Sequence, residues 1–206
     1  MRTTTTTTTV LATTTGALAL SLLLAGCSGT SSDEGGDPSS APEAAASQDA
    51  TTEQGAGGLS GELVALASCD DATALLGDLV VDLTLQEEQS STTEAASTCA
   101  WSSDPADIAN LRVLALQVQR EELDADQRAA QADAAAQQIG GSVVDDERSD
   151  EFDGRSITGT ADAATFTVSI GSVVTPTGVV VMTATGASGA PLTPEESLDA
   201  AFLFVE

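Results

Sequence analysis

The chain has 206 residues, 41% hydrophobic, 2% aromatic and 18% charged, with 32 acids, 6 basic residues (all Arg), no Lys, His or Tyr, and a formal net charge of −26. Such a polyanion repels phosphate backbones, which excludes nucleic acid as a partner, and any membrane attachment must be hydrophobic because anionic headgroups repel it too. Without His or Lys, the commonest general base, the commonest imidazole metal ligand and the Schiff-base nucleophile are missing.

Residues 1–26 read as a targeting segment, to be set aside before fold reasoning. Arg2 supplies a minimal positive start, a Thr run follows, and the apolar stretch Gly16 to Ala25 (GALALSLLLA) is too short to cross a bilayer, which takes ~20 apolar residues. It ends in Leu24-Ala25-Gly26-Cys27, which is similar to the bacterial lipobox. That resemblance implies diacylglyceryl transfer to Cys27 and cleavage before it, hence an exported chain anchored on the outer face of the cell membrane; two acyl chains anchor firmly where one does not. The alternative is an ordinary signal peptide with a stray Cys. Residues 27–59 form a Ser/Gly/Ala/Thr/Pro-rich acidic stretch without a base, too polar to offset its ordering entropy. It is expected to be a disordered tether, about 30 residues reaching on the order of 30 Å.

Residues 60–206 have the length of a single domain. With Cys27 assigned to lipid, Cys69 and Cys99 remain, and in an exported domain they are expected to form a disulfide rather than free thiols or a metal pair. Asp70 or Asp71 is read as capping a short helix through Ala74, Leu75, Leu76 and Leu79. Val80 to Gln86 fits either more helix or a strand, and Gln86 to Ser97 a polar loop. Thr98 to Ser102 reads as a strand with Cys99 and Trp101 on one face. In Asn110 to Arg120, Leu114, Leu116 and Val118 share a strand face, with Leu111, Val113 and Ala115 on the other. Asp124, with Gln127 three residues on, starts an Ala-rich helix that Gly140-Gly141 stops. Val143-Val144 begins another strand, and Ser156 to Thr160 is a weak one. Thr165 to Gly171 alternates, which predicts Phe166, Val168 and Ile170 inward; a turn at Thr175 to Gly178 leads to a hairpin partner, Val179 to Thr185. Thr193-Pro194-Glu195-Glu196 starts a last helix, with Leu198, Ala201, Phe202 and Val205 as one apolar stripe expected to pack on the sheet. The fold class is therefore α+β, an antiparallel meandering sheet against a few helices with one disulfide.

With its lipobox, acidic tether, early Cys69 and Cys99-Ala100-Trp101, the chain resembles a family of actinobacterial lipoproteins of unknown function. In outline it is also similar to extracellular sensor domains of some mycobacterial Ser/Thr kinases. One departure is that Asp70 to Ala74 separate the first Cys from Leu75-Leu76. The resemblance carries over no catalytic residue. The acid excess also suits a halophilic source, where it would reflect solvation in salt.

Of the chemical candidates, Trp101 reads as a core residue beside the disulfide before it reads as a sugar platform. The run 145–153 is the densest cluster of acids, but aligning Gly154 with the EF-hand glycine puts Thr160 where the bidentate Glu belongs, so a solvated loop is expected. No Gly-x-Ser-x-Gly is present and no His activates Ser or Cys. The expected function is non-enzymatic and without cofactor or metal: a membrane-anchored, monomeric module binding or sensing an unknown small ligand, which predicts an apolar cleft between sheet and helices. The alternative is an envelope scaffold that holds another protein through a surface patch.

Overall fold

The computed structural model describes residues 58–163 and 165–206. Residues 1–57, including Cys27 and most of the stretches expected to be leader and tether, lie outside the described residues. The domain is α+β, an eight-stranded antiparallel sheet with four helices.

Helix α1 (Cys69–Leu76) leads through a 3₁₀ turn (Gly77–Val80) to the short strands β1 (Thr84–Leu85) and β2 (Ser91–Thr92), then β3 (Ala96–Ser102) and β4 (Arg112–Arg120). Helix α2 (Ala125–Ile139) carries the chain to β5 (Ser142–Val144), and α3 (Glu147–Asp150) precedes the meander β6 (Arg155–Ala163), β7 (Phe166–Thr175), β8 (Gly178–Gly186). Helix α4 (Pro194–Phe202) follows. The sheet order is β1-β3-β4-β8-β7-β6-β5, with β2 also on β3, so the meander closes onto β4 through β8.

Local signals explain most boundaries. Asp124 and Gln127 form the expected reciprocal cap on α2, and Gly140 ends it in the left-handed region at φ 65°. Thr193 and Glu196 do the same for α4, with Pro194 at its first position. At α1 the cap is Ser68, not Asp70 or Asp71. Asp71 sits at the third helical position, where its carboxylate accepts from the backbone N–H groups of Ala67 and Ser68 at 2.8 and 3.1 Å. The stretch expected as a polar loop before β3 contains a 3₁₀ turn (Glu87–Gln89), β2 and the first residues of β3.

The main core lies between one sheet face and α1 and α4. Cys99, Trp101, Leu114, Leu116, Val118, Val180 and Met182 meet Ala72, Leu76, Leu198, Ala201 and Phe202 there. A smaller cluster on the opposite face puts Leu123, Ala132 and Ala136 against Ile157 and Val174, so α2 covers the β5–β6–β7 end of that face.

Strand β7 is turned the other way from the sequence expectation. Ser169, Gly171 and Val173 share the α4 face with Ala184, Met182 and Val180 of β8, whereas Phe166, Val168 and Ile170 are half-buried on the other side. The cause is the close seating of α4. A Cβ at Gly171 would overlap the backbone of Ser197 and Leu198, so the residue beneath the helix has to be Gly. The apolar cleft expected between sheet and helices is closed at this point.

Candidate functional site

Cys69, the first residue of α1, and Cys99, in the middle of β3, are joined as a disulfide with Cα atoms 5.6 Å apart and a sequence separation of 30. Trp101 is 1% exposed beside it. Its indole N–H donates to Thr73 Oγ1 at 3.0 Å, and that hydroxyl donates to the Cys69 carbonyl at 2.9 Å. The indole is thus committed to fixing α1 on β3, with no face left open to a sugar.

The acidic run 145–153, expected as a solvated loop, is a structured corner. It contains α3 and buries Ser149 and Phe152, at 2% and 8% exposure. Arg148 grips Asp146 with two bonds, Nε to Oδ1 at 3.0 Å and Nη2 to Oδ2 at 2.7 Å. It also reaches Asp199 of α4 at 2.9 Å and stacks 3.9 Å over the Phe202 ring. The hydrogen bonds from the guanidinium hold the Asp146 carboxyl below its ordinary range, and the same contact raises Arg148. Among the described residues, no three His, Cys, Asp or Glu converge to hold a metal ion.

Arg128, a base in an Ala-rich helix, closes this corner from α2. It is 7% exposed and donates to the Asp153 carbonyl (2.8 Å), the Leu123 carbonyl (2.7 Å) and Asp153 Oδ2 (2.6 Å). Asp153 is the only described non-Gly residue with positive φ, at 58°. The chain enters at the same corner. The Leu59 N–H donates to Glu151 at 2.7 Å, and Leu63 bridges Val205.

A further polar arrangement surrounds Arg120, the last residue of β4. Two solvent-open grooves share it as a wall. One, of about 520 Å³, runs between Ala65–Ala67 and Thr92–Glu94; the other, of about 420 Å³, is bordered by Glu62, Leu63, Glu121, Glu122 and Thr177. Arg120 Nη2 donates to the Val64 carbonyl at 2.7 Å, while Nη1 is buried without a hydrogen-bond partner. Among the described residues Arg120 makes no ion pair, although four glutamates border the same grooves. The buried Nη1 is thus a donor that the fold leaves unmatched by the bordering carboxylates.

No protein-family model, curated protein or solved structure matches the chain.

Of the residues singled out from the sequence, Cys69, Cys99 and Trp101 come together in one structural unit, and Cys27 lies outside the described residues. Arg120 and Arg128 were not singled out. The scarcity of bases was the available signal: of 6 in the chain, Arg120, Arg128, Arg148 and Arg155 donate side-chain hydrogen bonds to the fold.

Proposed function

We propose that this chain is an exported lipoprotein, held at the outer face of the membrane through acylated Cys27, whose domain is a non-enzymatic module that binds or senses a small polar ligand. The binding reading is carried by the junction of two open grooves at Arg120, whose guanidinium makes no ion pair among the described residues. The flanking glutamates favour a ligand that offers both an acceptor to the guanidinium and donors to the carboxylates. Export draws support from Leu24-Ala25-Gly26-Cys27 and from the Cys69–Cys99 disulfide, a bond that persists in oxidising compartments. The outline shared with actinobacterial lipoproteins of unknown function points the same way.

Mass spectrometry of the native protein released from membranes tests both halves. The expected result is diacylglyceryl on Cys27, a Cys69–Cys99 linked peptide, and a co-purifying small molecule lost in Arg120→Met. An unacylated cytosolic chain whose three thiols all alkylate would overturn the anchoring half. Wild type and Arg120→Met returning the same content would overturn the binding half. The alternative of an envelope scaffold draws support from a different feature: among the described residues, Val113, Ala115, Val168 and Ile170 are only half-buried on the sheet face that α2 partly covers.

A further inference from the structure

The acidic run ends in Asp153-Gly154, the one place in the sequence where Asp or Asn precedes Gly. That pair has a chemistry of its own. The amide nitrogen of the second residue attacks the side-chain carboxyl carbon of the first and closes a five-membered imide, and Gly puts no side chain in the way. The fold accounts for the pair. Helix α3 stops as a Schellman turn, in which the Gly154 N–H donates to the Ser149 carbonyl at 2.7 Å and the Asp153 N–H to the Asp150 carbonyl at 3.2 Å. Such a stop needs one left-handed residue, usually Gly, and here Asp153 takes that place at φ 58°. Gly stands one residue later, because a Cβ at position 154 would overlap the Phe152 ring and crowd the Val174 carbonyl.

We propose that Asp153–Gly154 is a site of spontaneous aspartyl isomerisation, and that Arg128 and the α3 turn hold its rate in check. The Gly154 nitrogen gives up its proton and bonds to Asp153 Cγ, and the carboxyl hydroxyl leaves with that proton as water. Solvent water then opens the imide at either carbonyl. Opening at Cγ restores Asp; opening at the former backbone carbonyl leaves that carbon as a free carboxyl group and carries the main chain through Cβ. One water leaves, one enters, and nothing is oxidised or reduced. The Asp153 side chain is 69% exposed, so solvent reaches the imide. The attacking nitrogen, by contrast, belongs to a buried residue and has its hydrogen committed to Ser149. The two carbonyl groups that exchange roles are held by one guanidinium, with Arg128 Nε on the Asp153 backbone oxygen at 2.8 Å and Nη2 on Oδ2 at 2.6 Å. Ring closure ends the Ser149 bond and takes the carboxyl out of that clamp, so it waits on a local opening of the corner. The product adds one methylene to the backbone between α3 and β6, beside the point where Leu59 meets Glu151. The reaction needs neither the lipid anchor nor a ligand at Arg120.

Warming the full chain at neutral pH, followed by tryptic release of Ser149–Arg155 and chromatography, tests this. The isoaspartyl peptide keeps the parent's mass, elutes apart from it and resists an aspartate-directed protease at Asp153. In urea, isomerisation is expected at Asp153 ahead of every other Asp. In the folded chain it is expected to run roughly tenfold or more slowly, with Arg128→Met in between. Because Arg128→Met weakens the fold, Asp153→Asn supplies a second measure. It keeps both backbone carbonyl bonds of Arg128 and forms the same imide with loss of ammonia. Its deamidation is expected to show the same contrast between folded chain and urea. Isomerisation in urea no faster at Asp153 than at the other aspartates would overturn the site. Equal rates in folded and unfolded chains, for wild type and Asp153→Asn alike, would overturn control by the fold, as would an Arg128→Met chain, folded by circular dichroism, reacting at the wild-type rate.

Discussion

Replacing Arg128 by Met asks how much of the fold rests on one buried cation. The side chain is 8% exposed and makes three hydrogen bonds, two of them to backbone carbonyls that belong to different loops. Its contact with the Asp153 carboxylate counts for little, because that side chain is 69% exposed and well screened. The weight falls on the carbonyls of Leu123 and Asp153. A hydrogen bond to a charged donor contributes about 1.5–3 kcal/mol, and Met fills the volume while leaving both acceptors unpartnered. Two such losses give about 3–6 kcal/mol, a large part of the 5–15 kcal/mol typical of a domain. Asp153→Asn keeps both carbonyl bonds and is expected to cost about 1 kcal/mol or less. Urea unfolding followed by circular dichroism measures both, with an unchanged m-value as the check that the two states compared are the same. If Arg128→Met came within 1 kcal/mol of wild type, the assignment of Arg128 as the tie between α2, the β4–α2 loop and the α3–β6 turn would be wrong.

Reduction of Cys69–Cys99 reopens a span of 30 residues and is expected to cost about 3–4 kcal/mol of loop-closure entropy, seen as a fall of roughly 10 °C in melting temperature with reductant. An unchanged melting curve would mean that packing around Trp101 alone holds α1 on β3. Gly171→Val drives a branched side chain into the backbone of α4 and is expected to abolish cooperative unfolding, whereas Val168→Thr, half-buried on the opposite face, shifts stability by about 1 kcal/mol or less. Because Asp146 titrates below its unfolded value, its contribution is present above about pH 4 and disappears as pH falls through the folded value. The stability gap between wild type and Asp146→Asn should therefore be widest near neutrality and narrow on acidification; a gap independent of pH would rule out the Arg148 contact as its source.

What could be read from the sequence was what short-range chemistry decides. The caps of α2 and α4 are local, three-residue signals, and the Leu114, Leu116, Val118 stripe of β4 follows from its period alone. Strand β7 shows why the rest was hidden. Its alternation placed two classes of residue on opposite faces, and large apolar side chains suggested the inward one. Which face is inward was decided by α4, which approaches closely enough to need Gly171 and Ser169 beneath it. That is a contact between segments about 25 residues apart, and the period of one strand does not encode it. At α1, Ser68, Asp70 and Asp71 are all competent caps, and only tertiary placement of Cys69 at the first helical position selects Ser68. In the run 145–153, charge density suggested solvent, but Phe152 buried in the core and two arginines from outside and within the run convert it into a corner of the fold.

Arg120 separates two uses of a scarce cation. Arg128 and Arg148 sit where folding crowds carboxylates together, and they are matched, Arg128 by Asp153 and Arg148 by Asp146 and Asp199. Arg120 has Glu62, Glu94, Glu121 and Glu122 around its two grooves and pairs with none, because its Nη2 is aimed at the Val64 carbonyl. If it served only as a counter-charge to those glutamates, Arg120→Lys would keep the benefit, and Arg120→Met would lose it in a way that added salt erases. If it is a positioned donor, Lys fails as Met does, because an ammonium lacks the planar fork that reaches the Val64 carbonyl. The second outcome is expected, with both variants about 1.5–3 kcal/mol less stable than wild type in urea and little dependence on salt. Stability restored to the wild-type value in Arg120→Lys would reduce the junction to surface charge balance and remove the support it lends to ligand binding.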